Sequence, residues 1–498
     1  MADTTVGDVG NGLAGLAEAA APASPPFERG HWLLGVLPQM RADPLAFFAR
    51  LANRHGPAVG LSLAGHKALM LNDPAALRHV FQDNWQNYRK SKFYGPLKPM
   101  LGGGIFMVEG ERWLRQRRVA NPAFQGCKMP ALLGAMVAAT GEMLDRWSGR
   151  AGADPQTESA GSAAAGGWAG GPFPARAWAG DLAPEMTRVT LDIILRSLLG
   201  YRMDGEYAAL YEALATLLAD AEKRAWSFVS LPPWVPTPHN RACARAHAVI
   251  AELVEKVIAE RRQSGVPQDD LLDAFIAAYS DPKAGGFQPS ILVDEVRSFI
   301  LAGHETTANA MCWVWLELSR NPAVREQVLA EIDRELGGSA PTLESVQRLK
   351  YCRAVLDETL RVHPTVWTLS RQANAAERIP LSDGRSLAVA KDQTVILCPY
   401  AVHHRTALWG DPERFRPERF LEPRHDQFAY FPFAKGPRHC LGSRFAIFEA
   451  LIIMAMTLQR FDVTVDDPSS VQAAPMITLR PDGPVRAHVT PRQVRQAA

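Results

Sequence analysis

The chain has 498 residues, 47% of them hydrophobic, and a formal charge of +2. That is ample for a large buried core, and the near-balanced charge, with no long basic stripe, argues against nucleic acid as a partner. Six scattered cysteines without a CxxC pair disfavour a disulfide framework and show no zinc-type Cys/His cluster, so a reducing, cytoplasmic setting is expected.

In chain order, Met1 to Ser24 is rich in Ala and Gly and carries Asp3, Asp8 and Glu18. It lacks a basic stretch ahead of an apolar run, so residues 1–24 read as a disordered tail and not as a signal peptide. A single domain is expected from residue 25 to residue 498. Pro44 to Gly56 (PLAFFARLANRHG) has helical spacing and a glycine stop. Residues 58–63 and 68–71 read as two strands joined by a turn at Gly65-His66, and Asp73-Pro74 caps the next helix. Residues 151–180 turn to Gly, Ala and Ser with Trp168 and Trp178. Such a segment buries too little apolar area to offset its ordering entropy and is expected to be a surface insertion. Helical patterns then run through 182–262, 291–319, 324–336 and 349–362; short strands fall within 379–397, and a last strong helix spans 443–458. No apolar run reaches the roughly 18 residues of a membrane span. The expected fold is mainly α with small β-sheets at one side.

Cys440 is the sharpest candidate for chemistry. It sits in Phe433-Ala-Lys-Gly-Pro-Arg-His-Cys-Leu-Gly442, just ahead of the 443–458 helix. A metal-binding thiolate needs positive charge and free amides, and a helix start supplies both kinds of field. Gly436 and Gly442 allow the backbone close to a flat ligand, Pro437 stiffens the turn, and the Phe433 ring can cover the sulfur. An inert buried cysteine leaves the two glycines, the proline, the arginine and the aromatic residue unexplained.

This segment resembles the FxxGxRxCxG signature of the cytochromes P-450, with every fixed position filled. Further segments are similar to that family. Glu358-Thr-Leu-Arg361 resembles its ExxR pair. Asp411 to Phe420 looks like its PERF region, whose Arg419 joins Glu358 and Arg361 in a structural lock. Trp113-Leu-Arg-Gln-Arg117 matches WxxxR, which with Arg371 and Arg438 implies donors to the two haem propionates. Arg112, Arg115 and Arg118 read as a solvated helix face. Within the apolar 291–319 segment, Ala302-Gly-His-Glu-Thr306 matches [AG]Gx[DE]T. Polar residues inside a buried helix need a reason. The Thr306 hydroxyl can compete for the Ala302 carbonyl and open a notch there, and Glu305 with Thr306 can relay protons. The rival zinc motif HExxH fails, because Ala308 stands where the second His belongs.

The resemblance covers the chain from Pro25 onward. It implies b-type haem held by Cys440 between a long central helix and the cysteine loop. The implied activity is a monooxygenase that inserts one atom of O2 into a hydrophobic small molecule such as a fatty acid or terpenoid. With no GxGxxG after a strand and no Fe–S pattern, electrons are expected from a separate ferredoxin or flavodoxin with its NAD(P)H reductase. It would dock on a basic face formed by Lys435, Arg438, Arg444 and residues 112–118. A monomer is expected. Family analogy also places Ala302, Thr306, Val366, Trp367, Phe93, Tyr94, Met476 and Ile477 around the substrate. The alternatives are a peroxide-driven peroxygenase, an isomerase, or a haem-thiolate sensor or electron carrier; retention of Glu305 and Thr306 speaks against each.

Overall fold

Local capping decides where the first elements begin. In a computed structural model, which describes residues 25–149, 178–203, 205–227, 231–232, 234–280, 289–423 and 426–492, the helix Pro44–His55 starts where the Asp43 side chain accepts from the Ala46 N–H at 2.9 Å. Strands Ala58–Leu63 and His66–Leu71 pair antiparallel, with Ala58 opposite Leu71, around a turn in which Ala64 and Gly65 take positive φ. The second strand starts at His66, two residues before its apolar run, because the turn needs only Ala64 and Gly65. The helix at Pro74 begins as expected, with Asp73 accepting from the N–H groups of Ala75 and Ala76.

The hairpin is completed from the far end of the sequence. His66–Leu71 pairs parallel with Thr394–Leu397, which pairs antiparallel with Leu369–Ala373, which pairs with Tyr88–Lys90. This five-stranded sheet therefore carries Lys90 and Arg371 side by side in register. The strand 369–373 lies outside the region where strands were expected.

The rest is predominantly helical. The continuous helical pattern over 182–262 resolves into Leu182–Leu199, Tyr207–Trp226 and Pro238–Ser264. Gly200 ends the first with φ +58°. The central helix, Pro289–Arg320, is flanked by Leu182–Leu199, Pro238–Ser264, Lys350–Val362 and Ser443–Arg460. Its Trp313 and Trp315 are each 1% exposed. The Ser443–Arg460 helix is buried on all sides over most of its length, so it runs through the core with no solvated face.

Trp178–Asp181 corrects one expectation. Trp178 to Gly180 read as the end of the insertion, but these residues form a strand paired antiparallel with Arg486–Val489. Trp178 stacks on Trp147 at 5.1 Å, and that aromatic contact outweighs the weak strand propensity of the flanking Gly and Ala. The tail, and the insertion up to residue 177, lie outside the described residues. Among the described residues, no helix is long and apolar enough to cross a membrane.

Candidate active site

The cysteine loop is shaped by two residues with left-handed backbone, Ala434 and Gly436. A Cβ on Gly436 would lie 1.8 Å from the Phe81 carbonyl oxygen. Glycine is therefore required here by the protein's own 79–83 turn, not by a ligand as the sequence reading held. Gly442 has only ordinary space around it. The Cys440 N–H donates to the Phe433 carbonyl at 2.9 Å, closing the loop, and the helix Ser443–Arg460 begins three residues on. Burial pushes the Cys440 thiol up, while the Gly442 N–H and the Arg117 guanidinium pull it down. The thiol is nonetheless accessible. A side chain hemmed in by protein yet open at its tip lines an interior hollow. A cation bound at the sulfur would favour its thiolate form against this burial.

Positive charge is gathered at the rim of the same region. Trp113 and Arg117, one turn apart on the helix Gly110–Ala120, stack with the guanidinium 5.7 Å from the ring centre. The Arg438 guanidinium lies 4.6 Å from the same ring on its other contact, and Trp113 is 4% exposed. Arg371, also buried, donates to the Tyr94 hydroxyl at 3.4 Å and to the Ser370 carbonyl at 2.9 Å. Lys90 joins them: burial, with Arg438 and Arg371 nearby, pushes its ammonium down to about 8. One carboxylate, Glu109, serves the group. It accepts from Arg438 and from the Lys90 N–H, and these cations hold it below the usual carboxylate range despite burial. The Nε and Nη1 of Arg438 are buried with no partner among the described residues. An unsatisfied buried donor costs about 1–3 kcal/mol, more when charged. The cluster is thus short of anionic oxygens, and two carboxylates at the edge of a flat macrocycle would supply them.

The central helix carries Ala302 and Thr306, both half-buried. The Thr306 hydroxyl donates to the Ala302 carbonyl at 2.9 Å. The helix nevertheless runs unbroken from Pro289 to Arg320, because that carbonyl can accept a second bond without losing its first. The expected opening of the ladder does not occur. Gly303 has a packing reason: a Cβ there would lie 2.3 Å from Ile194 on the neighbouring Leu182–Leu199 helix. His304 is buried and turned back to the Ile300 carbonyl at 2.7 Å, and burial pushes its imidazole down to about 4. Glu305 makes no hydrogen bond to Thr306 among the described residues. Its Oε1 accepts from the Thr478 hydroxyl at 2.7 Å, and Thr478 also accepts from Asn309. Burial raises the Glu305 carboxyl above its ordinary range, against Thr478 and Arg480.

Comparison with known proteins gives the family. The Cytochrome P450 family model matches residues 25–485. The chain belongs to the cytochrome P450 family. It is 30% identical to cyclooctat-9-en-7-ol 5-monooxygenase of Streptomyces melanosporofaciens, over 89% of this chain and 92% of the relative. It is 29% identical to cyclooctatin synthase of the same organism, over 95% of each. It is also 29% identical to a bifunctional cytochrome P450/NADPH–P450 reductase of Gibberella moniliformis, over 91% of this chain and 39% of the relative. The chain is therefore an oxidoreductase of the haem-thiolate monooxygenase class, which needs O2, a substrate and an electron donor.

The ExxR pair of this P450 is a fully buried network. Glu358 and Arg361 are both 0% exposed and joined by two bonds of 2.7 and 2.9 Å. Arg361 also donates to the carbonyls of His403 and Pro412. Glu358 accepts in addition from Arg419 and from the Arg416 N–H, and Trp409 lies against both guanidinium groups. Two further expectations need correction. Arg438 is buried among the rim charges, so it is no part of a docking face; Arg112, Arg115, Arg118 and Arg444 are exposed. Trp367 is buried in the packing around the first helix, with its ring 6.2 Å from Phe48 and its indole N–H donated to the Met476 carbonyl. Phe93 is 44% exposed, while Phe433, half-buried, stands 6.5 Å from the His439 ring. The sequence reading missed Lys90, Glu109 and Thr478. None lies in a motif; only the charge of Lys90 ahead of Ser91 in a sheet-forming stretch hinted at a special position.

Proposed function

We propose that this P450 uses Cys440 as its haem ligand and hydroxylates an apolar, unsaturated carbon skeleton of the alcohol or terpenoid class. The observation that carries the ligand assignment is the unpartnered pair of donors on Arg438, set with Arg117, Arg371 and Lys90 beside an accessible, hemmed-in cysteine thiol. Haem bound there would supply dioxygen activation, with the thiolate pushing electron density toward the iron. The chain's own residues hold and orient it. Trp113, Arg117, Arg371 and Arg438 take the propionate edge, and the Glu358–Arg361–Arg419 network keeps the backbone around the loop fixed. Phe433 and Gly442 complete the loop around the sulfur.

On the distal side, the Glu305 carboxyl, raised above its ordinary range by burial, is tethered to Thr478 and is placed to take up and release a proton. The Thr306 hydroxyl, satisfied by Ala302 at rest, is free to rotate toward the hollow and pass a proton on. The substrate class is supported by the name of one Streptomyces relative, which denotes an unsaturated alcohol as the molecule acted on, and by the apolar, half-buried character of Ala302, Val366, Met476 and Ile477. A separate ferredoxin- or flavodoxin-type donor fits the exposed arginines Arg118 and Arg444 near the cysteine side.

The test is spectroscopic. The reduced, CO-bound protein should show the red-shifted Soret band of thiolate ligation, and Cys440→Ser should lose it. Cyclic alkenols should shift the ferric spin state more strongly than straight-chain fatty acids. Retention of the shifted band in Cys440→Ser overturns the ligand, and a response to fatty acids alone overturns the substrate class.

A further inference from the structure

A second set of metal-ligating side chains shares no residue with the haem site. Asp220 is on the helix Tyr207–Trp226; His239 and Cys243 stand one turn apart on the helix Pro238–Ser264. Their ligand atoms all lie within 4.8 Å of one another. The His239 Nε2 is 2.8 Å from Asp220 Oδ1 and 3.8 Å from Cys243 Sγ. We infer that Asp220, His239 and Cys243 form a binding site for a zinc-class divalent cation that cross-links these two helices.

The donor set carries the assignment. One imidazole nitrogen, one carboxylate oxygen and one thiolate sulfur suit a borderline-soft, tetrahedral ion, with the fourth position left to water. Bonds of about 2.0–2.1 Å to nitrogen and about 2.3 Å to sulfur put the N···S edge of a tetrahedron near 3.6 Å. The observed 3.8 Å is already close. The N···O edge must open from 2.8 Å by roughly half an ångström to reach the length those bonds require, and the partly exposed His239 ring has room to move.

Burial is arranged to suit an ion. Asp220 and Cys243 are 6% and 7% exposed, while the His239 side chain is 37% exposed and leaves an entry path. Arg224 donates from Nε to Asp220 Oδ2 at 2.7 Å. It thereby fixes the carboxylate with Oδ1 aimed at the histidine, as an outer-sphere partner orients a metal ligand. Two anionic ligands balance a divalent charge. The ion replaces the thiol proton and any proton on Nε2, so no redox change is involved. His247, one turn beyond Cys243, is held by Arg297 at 3.4 Å and does not join the set. None of the three residues belongs to the cysteine loop, the rim charges or the 302–306 segment, so the set is distinct in residues from the proposed haem site.

The test uses the haem-loaded full chain, stripped of free metal and titrated with zinc chloride. Calorimetry should find one zinc bound per chain. X-ray absorption at the zinc edge, which the haem iron does not obscure, should show one sulfur near 2.3 Å with lighter atoms at about 2.0–2.1 Å. His239→Ala and Cys243→Ala should each weaken binding by at least about 100-fold, since outer-sphere changes alone cost 10–100-fold. Saturating zinc should raise the thermal midpoint of the parent and not of either variant. His239→Ala, at a half-exposed position, keeps the test valid if Cys243→Ala folds poorly, and the haem spectrum reports folding in both. Zinc bound without a sulfur neighbour, or with equal affinity in His239→Ala, overturns the site.

Discussion

The two sides of the hollow are built on different principles. On the cysteine side, backbone and charge over-determine the geometry. Only glycine fits at 436 because the Phe81 carbonyl leaves no room for a Cβ, the Cys440 amide is tied to Phe433, and Glu358 takes bonds from three groups at once. On the central-helix side, function hangs on side chains with one bond each, Thr306 to Ala302 and Glu305 to Thr478. A ligand to a metal must not move, whereas a proton carrier must. The first side therefore spends many interactions on one position, and the second leaves its groups a single rotation from an alternative partner.

Substitutions should separate the two sides by kind of damage. Glu358→Ala leaves the Arg361 guanidinium buried without its counter-charge, and should cost about 3–5 kcal/mol, read as a large fall in the thermal unfolding midpoint and loss of bound haem. Near-normal stability would show that the cysteine side is less dependent on this network than its geometry indicates. Arg438→Ala removes charge-assisted donors worth about 1.5–3 kcal/mol. It should speed haem loss roughly 10- to 100-fold in a transfer assay, with the thiolate band of the remaining holoprotein unchanged. An unchanged rate would remove Arg438 from the propionate edge.

Thr306→Ala sharpens the contrast from the other side. It gives up one hydrogen bond on a helix that runs through without it, so stability should change by no more than about 1 kcal/mol. Product formed per electron consumed should nevertheless fall several-fold. Full coupling with a well-bound substrate would place the proton path elsewhere.

The smallest effect concerns Glu449, which lies fully buried on the Ser443–Arg460 helix. Its side chain meets Thr307, and burial, outweighing that contact, raises its ionisation well above the ordinary range. A raised carboxyl contributes full stability below the unfolded-state value and loses it as pH climbs toward the folded-state value. Glu449→Gln should therefore flatten the decline in stability from mildly acidic to neutral pH, measured by denaturant unfolding at several pH values. An identical slope in both proteins would mean that the acid is solvated.

Much of this arrangement was legible in the residues alone, and what was legible shares one property: the partners are close in the chain. Trp113 and Arg117, Glu358 and Arg361, Ala302 and Thr306, and the turn from Phe433 to Cys440 meet because a helix repeats every 3.6 residues or a short loop must close. The same local rules also misled. They assigned Gly436 to the ligand when a carbonyl from residue 81 demands it, and they read Trp178 to Gly180 as insertion because the strand partner lies at 486–489.

What tertiary structure alone decided is the set of long-range meetings. Lys90, Glu109 and Arg438 converge from three regions of the chain, Thr478 reaches Glu305, and Asp220 meets His239 and Cys243 across a helix pair. The cysteines showed no metal cluster as a pattern, because a His and a Cys one helical turn apart acquire a third ligand only when another helix packs beside them. Cysteine identity, helix period and loop chemistry are properties of short segments and survive in any context. Which charge is left without a partner, and which side chain faces a hollow, depends on what the rest of the chain brings against it.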